Sequence, residues 1–330
     1  MLLGFSIILF MQGCTKSPTE TVVPGPVDDT TWAAVDTLPK ITDSLDKPLV
    51  VDSFNCASDH NNANVISLGD SVFINFPVGG CMTTANDPST IIKKSTKIKA
   101  EIRFLATKGD LLRFHLSTIS NINTNSYLIA IGNFINIKLK YNGKEVFWNP
   151  FSAPIQVKVK AANTTQLMTY FSFQPIGANG KDSTWSSSFA STTFGYVMPY
   201  KDSQKRNWYQ IFSNRTRLFG CAYYLDKNNS LPKTRLNVFM PLRYTNKNTL
   251  VYAAFDNYKS VVRLHANPVG KSYGVAGIPI NAKVTIVTIS KIRGIYYLGN
   301  SSVAVTDSKP FIVIPNQTDK QSLNDYLRNL

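Results

Sequence analysis

The segment Ile98-Lys99-Ala100-Glu101-Ile102-Arg103-Phe104 decides the fold class of this chain. Its apolar residues occupy every second position, and the residues between them are charged. Because successive side chains of a β-strand point to opposite faces, this period of two predicts a strand with one buried face.

Similar segments recur from this strand toward the C-terminus. The dipeptide Asn142-Gly143 separates two of them and is typical of a type I′ hairpin turn. The stretch Thr107-Lys108-Gly109-Asp110 predicts a turn into a further strand, 111–116, that carries His115. Short strands with regular turns and no helical period predict an all-β fold of two β-sandwich (Ig-like) modules.

The last residues of the chain depart from this pattern. Thr318 and Gln321 match a capping box, with Thr318 as the N-cap residue. Leu323, Leu327 and Leu330 follow at helical spacing. The tail therefore predicts a short amphipathic helix that closes the second module.

Composition divides the chain into four regions. Residues 15–50 are rich in Pro, Thr and Asp and poor in large apolar residues, which predicts a disordered tether because too little surface can be buried to offset chain entropy. A stretch rich in Gly, Ser, Asn and Thr from Pro175 to Phe194 is interpreted as a boundary between modules. The predicted first β-sandwich module is 51–178, and the second is 179–330 with the C-terminal helix.

Residues 1–14 match a bacterial lipoprotein signal. An apolar run from Leu2 to Met11 precedes Gln12-Gly13-Cys14, and its length of about ten residues suits a signal peptide but not a membrane-spanning helix. Cys14 is then the predicted lipidation site, and its two or more acyl chains would give lasting membrane attachment. No Lys or Arg precedes the run. A buried N-terminal segment with an incidental cysteine is the alternative.

Charge is spread unevenly over the chain. The net charge is +15, although residues 15–60 hold three lysines against eight acidic residues. The folded part is therefore strongly basic and favours anionic partners. Nucleic acid is excluded as a partner because no reader motif is present. Anionic lipid headgroups, lipopolysaccharide and acidic glycans are candidates, and a solvated lysine-rich surface is the alternative.

Three cysteines remain after Cys14. In an oxidising export compartment, Cys56 and Cys81 are the natural disulfide pair because they flank a predicted strand. Cys221 lies in an apolar context and is expected to be a buried thiol. Pairing of Cys221 with either of the others, or no disulfide, stays open. No metal site is expected, since the spacing of cysteines and histidines matches no metal motif.

Catalytic motifs are not recognisable in the sequence. His60, His115 and His265 lie far apart, and there is no zinc-hydrolase motif or nucleophile elbow. We therefore expect no catalytic residues, no cofactor and no enzyme activity. A hydrolase is the alternative, and it requires His115 or His265 within hydrogen-bond reach of a serine or a carboxylate.

Aromatic residues beside polar ones provide the candidate ligand-binding residues. Trp185, in the Ser-rich connector, is expected to be exposed, and Tyr209 follows Lys205 and Arg206. An exposed ring with polar neighbours can stack against a sugar while the neighbours bind its hydroxyls. Trp148 and Trp208 are expected in the core.

The lipobox, the tether and the β modules together resemble uncharacterised Bacteroidota cell-envelope lipoproteins with β-sandwich domains. The segment Ala100–Trp148 resembles a β domain that recurs in such lipoproteins. The resemblance implies an outer-membrane, lipid-anchored location, on the cell surface or the periplasmic face, and partners among glycans or envelope proteins. It also implies O-glycosylation at Asp-Ser/Thr matches in the tether, namely at Thr30, Thr37 and Ser44. A glycan-binding lipoprotein of a polysaccharide-uptake system is the alternative function.

Overall fold

The computed structural model describes residues 28–56, 64–85, 87–92, 96–122, 125–176, 182–187, 195–228, 230–306 and 309–330. Cys14 with the rest of the predicted signal, residues 15–27 of the predicted tether, and His60 lie outside the described residues. Strands make up 53% of the described residues and helices 9%. The predicted all-β, sandwich-type fold with a short C-terminal helix is confirmed.

A nine-stranded, antiparallel sheet forms the middle of the molecule. Its strands are β1 (Val50–Asn55), β4 (Cys81–Met82), β5 (Lys97–Leu105), β6 (Ile119–Ile122), β7 (Asn125–Tyr141), β8 (Lys144–Trp148), β10 (Thr169–Ile176), β11 (Asp182–Ser187) and β14 (Arg217–Tyr224). The alternating segment that predicts the fold is β5, in which Ile98, Ala100 and Ile102 are fully buried.

A five-stranded antiparallel sheet packs on one face of the nine-stranded sheet. Its strands, in spatial order, are β12 (Gly195–Lys201), β13 (Asn207–Ser213), β9 (Ile155–Lys160), β3 (Val72–Phe76) and β2 (Asn64–Leu68). Alternation sends Val72, Ile74 and Phe76 into the core between these two sheets. The opposite side of the five-stranded sheet is called its outer face below.

An eight-stranded sheet forms the C-terminal part of the chain. Its strands are β15 (Lys233–Phe239), β16 (Thr249–Phe255), β17 (Val261–Asn267), β18 (Ser272–Pro279), β19 (Lys283–Ile292), β20 (Ile295–Ala304), β21 (Phe311–Ile312) and β22 (Asn316–Thr318). The pair β15–β21 is parallel, and the other pairs of this sheet are antiparallel. Every residue of β16 is buried, because its two faces contribute to two different cores.

The nine-stranded and eight-stranded sheets share a core. Ile131 and Phe134 of β7 pack in one cluster with Leu250 and Tyr252 of β16. A register shift in the β7–β14 pair lets Ile131 face this shared core, whereas Ile135 faces the five-stranded sheet. The nine-stranded sheet is therefore the middle of three layers.

The strand pairing corrects the predicted module boundary at residues 178 and 179. Strands β11 and β14 belong to the nine-stranded sheet, and β12 and β13 belong to the five-stranded sheet. The first module therefore extends to Tyr224, and the second begins at β15. The shared core shows that the two modules are packed together and are not separate bodies.

The predicted tether is also corrected for its second half. Within 28–49, a 3-10 helix (Lys40–Ser44) buries Ile41 in the shared core, and Leu45 follows it there. The buried amide of Asn246 accepts from the backbone of Ala33 at 2.8 Å and donates to two carbonyl groups of the segment at 2.8 and 3.0 Å. Residues 28–45 are thus a docked strap on the C-terminal module.

Both α-helices differ in detail from the sequence prediction. Residues 108–113 form helix α1 (Lys108–Arg113), capped by Thr107 and Asp110, where a turn and a strand were predicted. Helix α2 (Lys320–Asn329) is capped by Asp319, whose carboxylate accepts from the amide of Ser322 at 2.8 Å, and not by the predicted Thr318. A second 3-10 helix is Pro88–Thr90.

Candidate functional site

The outer face of the five-stranded sheet carries apolar and charged side chains together. Alternation along β9 sends Val157 and Val159 into the core and leaves Gln156 and Lys158 on the outer face. The register pairs Lys158 with Phe73 across β3. The sequence of these strands therefore produces two usable faces, one for the core and one for contact with a partner.

An open groove of about 350 Å³ lies on this outer face. We call it the outer groove, and it is lined by Val65, Phe73, Asn75, Gln156, Lys158, Tyr200, Asp202, Arg206 and Trp208. All of these residues belong to the five-stranded sheet or to the turn between β12 and β13.

Aromatic rings form the floor of the outer groove. The rings of Phe73 and Trp208 are tilted against each other with centroids 5.7 Å apart. Tyr200 pairs with Trp208 in the register of β12 and β13 and is 39% exposed, whereas Trp208 is only 4% exposed. The Lys158 ammonium lies 5.1 Å from the Tyr200 ring centroid, within the range of a cation–π contact.

Asp202 organises the turn at one end of the groove. Its carboxylate accepts from the Arg206 guanidinium at 2.6 Å and from the Trp208 indole at 3.1 Å. It also accepts from the backbone amides of Gln204 and Arg206 at 3.0 and 2.9 Å. Partial desolvation raises the pKa of Asp202, but the hydrogen bonds from Arg206 and Trp208 outweigh it and hold the pKa below its usual value.

These contacts hold the Arg206 guanidinium over the indole, 5.5 Å from the Trp208 ring. Lys205, also in this turn, has a positive φ of 58°. Its backbone amide donates to the carbonyl of Asp202 at 2.9 Å. The turn therefore places Arg206 at the groove, and the backbone of Lys205 stabilises the conformation of the turn.

Amide side chains supply the neutral polar groups of the groove. Gln156 accepts from Gln210 at 3.4 Å. The Asn75 side-chain oxygen is shielded from solvent and has no hydrogen-bond partner among the described residues. Since a shielded oxygen cannot be reached by a ligand, Gln156 is the amide through which the groove can bind a ligand hydroxyl.

The apolar surface continues to the edge strand β12. The rings of Tyr196 and Phe212 are stacked at 4.4 Å, and Met198 lies one position along the same face. Tyr196 and Met198 are 48% and 50% exposed. An aromatic and thioether surface of this kind on an edge strand favours a binding role over simple solvation.

Of the four ligand-binding residues predicted from sequence, the structure places only Arg206 in the outer groove. Trp185 is fully buried, which corrects the predicted exposed position. Its ring stacks on Phe134 at 4.0 Å, and its indole donates to the Ser117 carbonyl at 2.7 Å. Tyr209 is also buried and its hydroxyl donates to the Gln166 carbonyl at 2.6 Å, so it supports the loop behind the sheet.

The predicted glycosylation sites have different surroundings. Thr30 is exposed. The Thr37 hydroxyl donates to the Asn246 carbonyl, and the Ser44 hydroxyl is hydrogen-bonded to that of Tyr296 at 2.5 Å. A sugar on the Thr37 oxygen would remove the hydrogen bond that its hydroxyl donates to Asn246. Glycosylation at Thr30 would leave this contact of the strap intact.

The cysteines have the arrangement expected from the sequence. Cys56 and Cys81 form a disulfide, with Cα atoms 6.0 Å apart. Cys221 is a free thiol at 0% exposure. Burial raises the pKa of the Cys221 thiol to about 11, which keeps it protonated and unreactive in the folded protein.

The two described histidines both contact the docked strap. His265 lies 2.9 Å from the Asp36 carboxylate, which also accepts from Arg263 at 3.0 Å and from the Ala266 amide at 3.1 Å. His115 lies 2.7 Å from the Thr42 hydroxyl. A carboxylate within reach of His265 meets one requirement of the hydrolase hypothesis, but Asp36 is already the partner of Arg263 and the contact joins the strap to β17.

Sequence reasoning missed most residues of the outer groove. Phe73 and Lys158 lie on predicted strands, whereas the sequence predicts no strand at Tyr200. Trp208 was expected in the core but lines the outer groove. The signal was present in Trp208-Tyr209, because adjacent aromatic residues on a strand must point to opposite faces. One of the two rings therefore had to leave the core.

No protein-family model matches this chain, and no curated protein or solved structure is significantly similar to it. Among the described residues, none of the helices combines the length and apolar character needed to cross a membrane. In the same part of the chain, no cluster of three or more His, Cys, Asp or Glu residues is suited to hold a metal ion.

Proposed function

We propose that this chain is a non-enzymatic binding protein of the bacterial cell envelope, held at the outer membrane through lipid on Cys14, and that its ligand binds in the outer groove. The observation that carries the binding proposal is the aromatic floor of Phe73, Tyr200 and Trp208 on the side of the sheet that faces away from the core. Side chains of this kind converge with a few polar groups at ligand sites.

We propose further that the ligand is a glycan. Sugar rings present an apolar C–H face and a rim of hydroxyl groups, and the groove offers both complements. Tyr200 is exposed for stacking, and Gln156 is an amide able to bind hydroxyl groups. Lys158 and Arg206 add positive charge at the same place, so a glycan that carries carboxylate groups is favoured over a neutral one.

Affinity electrophoresis tests the ligand proposal. The full chain with Cys14→Ser, which cannot be lipidated, is run in native gels that contain polygalacturonate, dextran or no polysaccharide. We expect retardation by polygalacturonate. The double variant Lys158→Ala/Tyr200→Ala should bind about tenfold more weakly. This corresponds to a loss of about 1.4 kcal/mol of binding free energy from the two contacts together.

A matched control separates the groove from the overall positive charge. Lys97→Ala/Tyr258→Ala removes one exposed lysine and one exposed tyrosine that do not line the groove. This control should be retarded as the parent is. Equal losses in the two double variants, or no retardation of the parent by any polysaccharide, would refute glycan binding in the groove.

Cell fractionation tests the anchor. After a high-salt wash, which removes proteins held by charge alone, the unmodified chain should stay with the outer membrane and carry the mass of its acyl chains, whereas Cys14→Ser should be released to the soluble fraction. Unchanged fractionation of Cys14→Ser would refute the lipid anchor and leave the groove result untouched.

A further inference from the structure

One end of the eight-stranded sheet carries four cationic side chains on neighbouring loops. They are Arg243 and Lys247 in the turn after β15, and Lys291 and Arg293 at the β19–β20 hairpin. The Lys291 amide donates to the Asn248 carbonyl at 3.0 Å, which joins the two loops. We call this surface the basic end.

Tyrosine rings support these cations. The Arg243 guanidinium lies 4.7 Å from the ring of Tyr297 and 4.9 Å from the ring of Tyr244. The Lys291 ammonium lies 4.8 Å from the ring of Tyr296. The three tyrosines are themselves buried, so their rings fix the positions of the cations from beneath the surface.

Exposed aliphatic side chains accompany the charges. Leu242 precedes Arg243 in the turn and is 68% exposed, and Ile295 follows the hairpin tip and is 42% exposed. Leu242 lies in a turn and Ile295 is the first residue of β20, and neither contributes to a core cluster. Apolar side chains flanked by cations suit the boundary between headgroups and acyl chains.

The strap begins at the same end. Asp28 pairs with Arg293 at 3.1 Å, and Asp29 pairs with Lys247 at 3.0 Å. These two carboxylates offset half of the four positive charges and leave an excess of two. From Asp28, fourteen residues lead back to Cys14, a chain that can reach no farther than about 50 Å when fully extended.

We propose that the basic end lies against the anionic lipid headgroups of the membrane in which the Cys14 lipid is inserted. The location rests on the proposed anchor, because the short chain from Cys14 delivers this end of the protein to the bilayer. Lipid phosphates would pair with the four cations, and Leu242 and Ile295 would enter the interface. The lipid anchor then supplies attachment, and the basic end supplies orientation.

Vesicle sedimentation tests this proposal without the anchor. The full chain carrying Cys14→Ser is mixed with vesicles of phosphatidylcholine alone, or with about a third phosphatidylglycerol, at low and at high salt. We expect sedimentation only with the anionic vesicles and only at low salt. Lys247→Ala/Lys291→Ala/Arg293→Ala should weaken binding by about tenfold or more, since each basic residue near an anionic surface contributes a factor of about five before the acidic neighbours are counted.

A triple variant of equal charge is the control. Lys97→Ala/Lys144→Ala/Lys283→Ala removes three exposed lysines outside the basic end, of which Lys283 lies at the opposite end of the same sheet, and should retain binding. Equal weakening by both triple variants would show attraction by overall charge alone and overturn the proposal, as would failure of the parent to bind anionic vesicles. Leu242→Ser/Ile295→Ser should weaken binding, whereas Leu167→Ser/Leu231→Ser, at two exposed positions outside the basic end, should not.

The same assay distinguishes this proposal from the proposed function. The groove variant Lys158→Ala/Tyr200→Ala should bind anionic vesicles as the parent does. If the protein binds anionic vesicles but Cys14→Ser does not change cell fractionation, the anchor is refuted and the basic end stays a lipid-binding surface. If the protein is lipidated normally but does not bind anionic vesicles, the basic end is refuted as a lipid-binding surface and the anchor is kept.

Discussion

Acidification should weaken the fold through one buried histidine. His115 follows α1 with a positive φ of 56°, and its two ring nitrogens lie 2.7 Å from the Thr42 hydroxyl and 3.3 Å from the Tyr252 hydroxyl. Burial, and to a smaller extent the nearby charge of Lys47, lower the pKa of His115 to about 4. The folded protein therefore holds this ring in its neutral form at pH 7.

The sign of the effect follows from proton binding. The ordinary pKa of histidine is about 6.5, so between pH 6.5 and 4 the unfolded chain binds a proton that the folded chain excludes. The stability that depends on the neutral ring is fully present above pH 6.5 and is lost as the pH falls toward 4. Between pH 7 and pH 5 the free energy of unfolding should fall by at most about 2 kcal/mol from this group, since solvent reaches part of the ring.

Urea denaturation at pH 7 and at pH 5 measures the effect. His115→Asn is the matched variant, because asparagine tolerates a positive φ and does not titrate. The carboxylates of the parent and the variant contribute equally, so the decisive quantity is the difference between their two pH dependences. The parent should lose more stability than the variant, by up to about 2 kcal/mol. An equal loss in both proteins would refute the neutral, buried state of His115.

Three further predictions concern the core. Trp185→Ala should lower the free energy of unfolding by about 3–5 kcal/mol in urea denaturation, because the ring is fully buried against Phe134; a change within about 0.5 kcal/mol would mean that the indole is exposed. Replacing Cys56 and Cys81 by alanine removes a cross-link over 25 residues and should cost about 3.5 kcal/mol, and an unchanged urea midpoint would contradict it. The Cys221 thiol should not react with a thiol reagent at pH 8 until the protein unfolds, and reaction under native conditions would contradict its raised pKa and burial.

Strand formation could be predicted from the sequence because it depends on a local pattern. In β5 and in β9, the alternation of apolar and polar residues predicts one buried face and one face toward solvent. The uninterrupted apolar run of β16 reports burial on both faces, which the shared core explains. Each pattern is complete within one strand.

The module boundary depends on pairing between distant residues and could not be read from composition. The Gly- and Ser-rich stretch after Pro175 looks like a linker, but β14 returns to pair with β7, about eighty residues earlier in the chain. Trp185 shows the same effect at one residue. Its polar neighbours suggest exposure, yet cross-strand pairing with Phe173 and stacking on Phe134 bury it.

The strap was missed because few apolar residues are enough to dock it. Ile41 and Leu45 are the buried residues that anchor it to the shared core, and a third contact is made by Trp32, whose ring lies 5.2 Å from that of Tyr273. One buried side chain, Asn246, satisfies three backbone groups of the strap. Composition describes the average of such a segment, whereas docking depends on a few residues whose side chains and backbone groups find partners on the folded module.

The three-layer arrangement gives the two proposed surfaces independent roles. The outer groove lies on the five-stranded sheet, and the basic end belongs to the eight-stranded sheet on the other side of the nine-stranded sheet. Packed sheets are about 10 Å apart, so two layers separate the groove from the sheet that carries the basic end. No residue is shared by the two surfaces. The free-energy changes caused by charge removal at the two surfaces should therefore add, because substitutions this far apart with no common partner are independent.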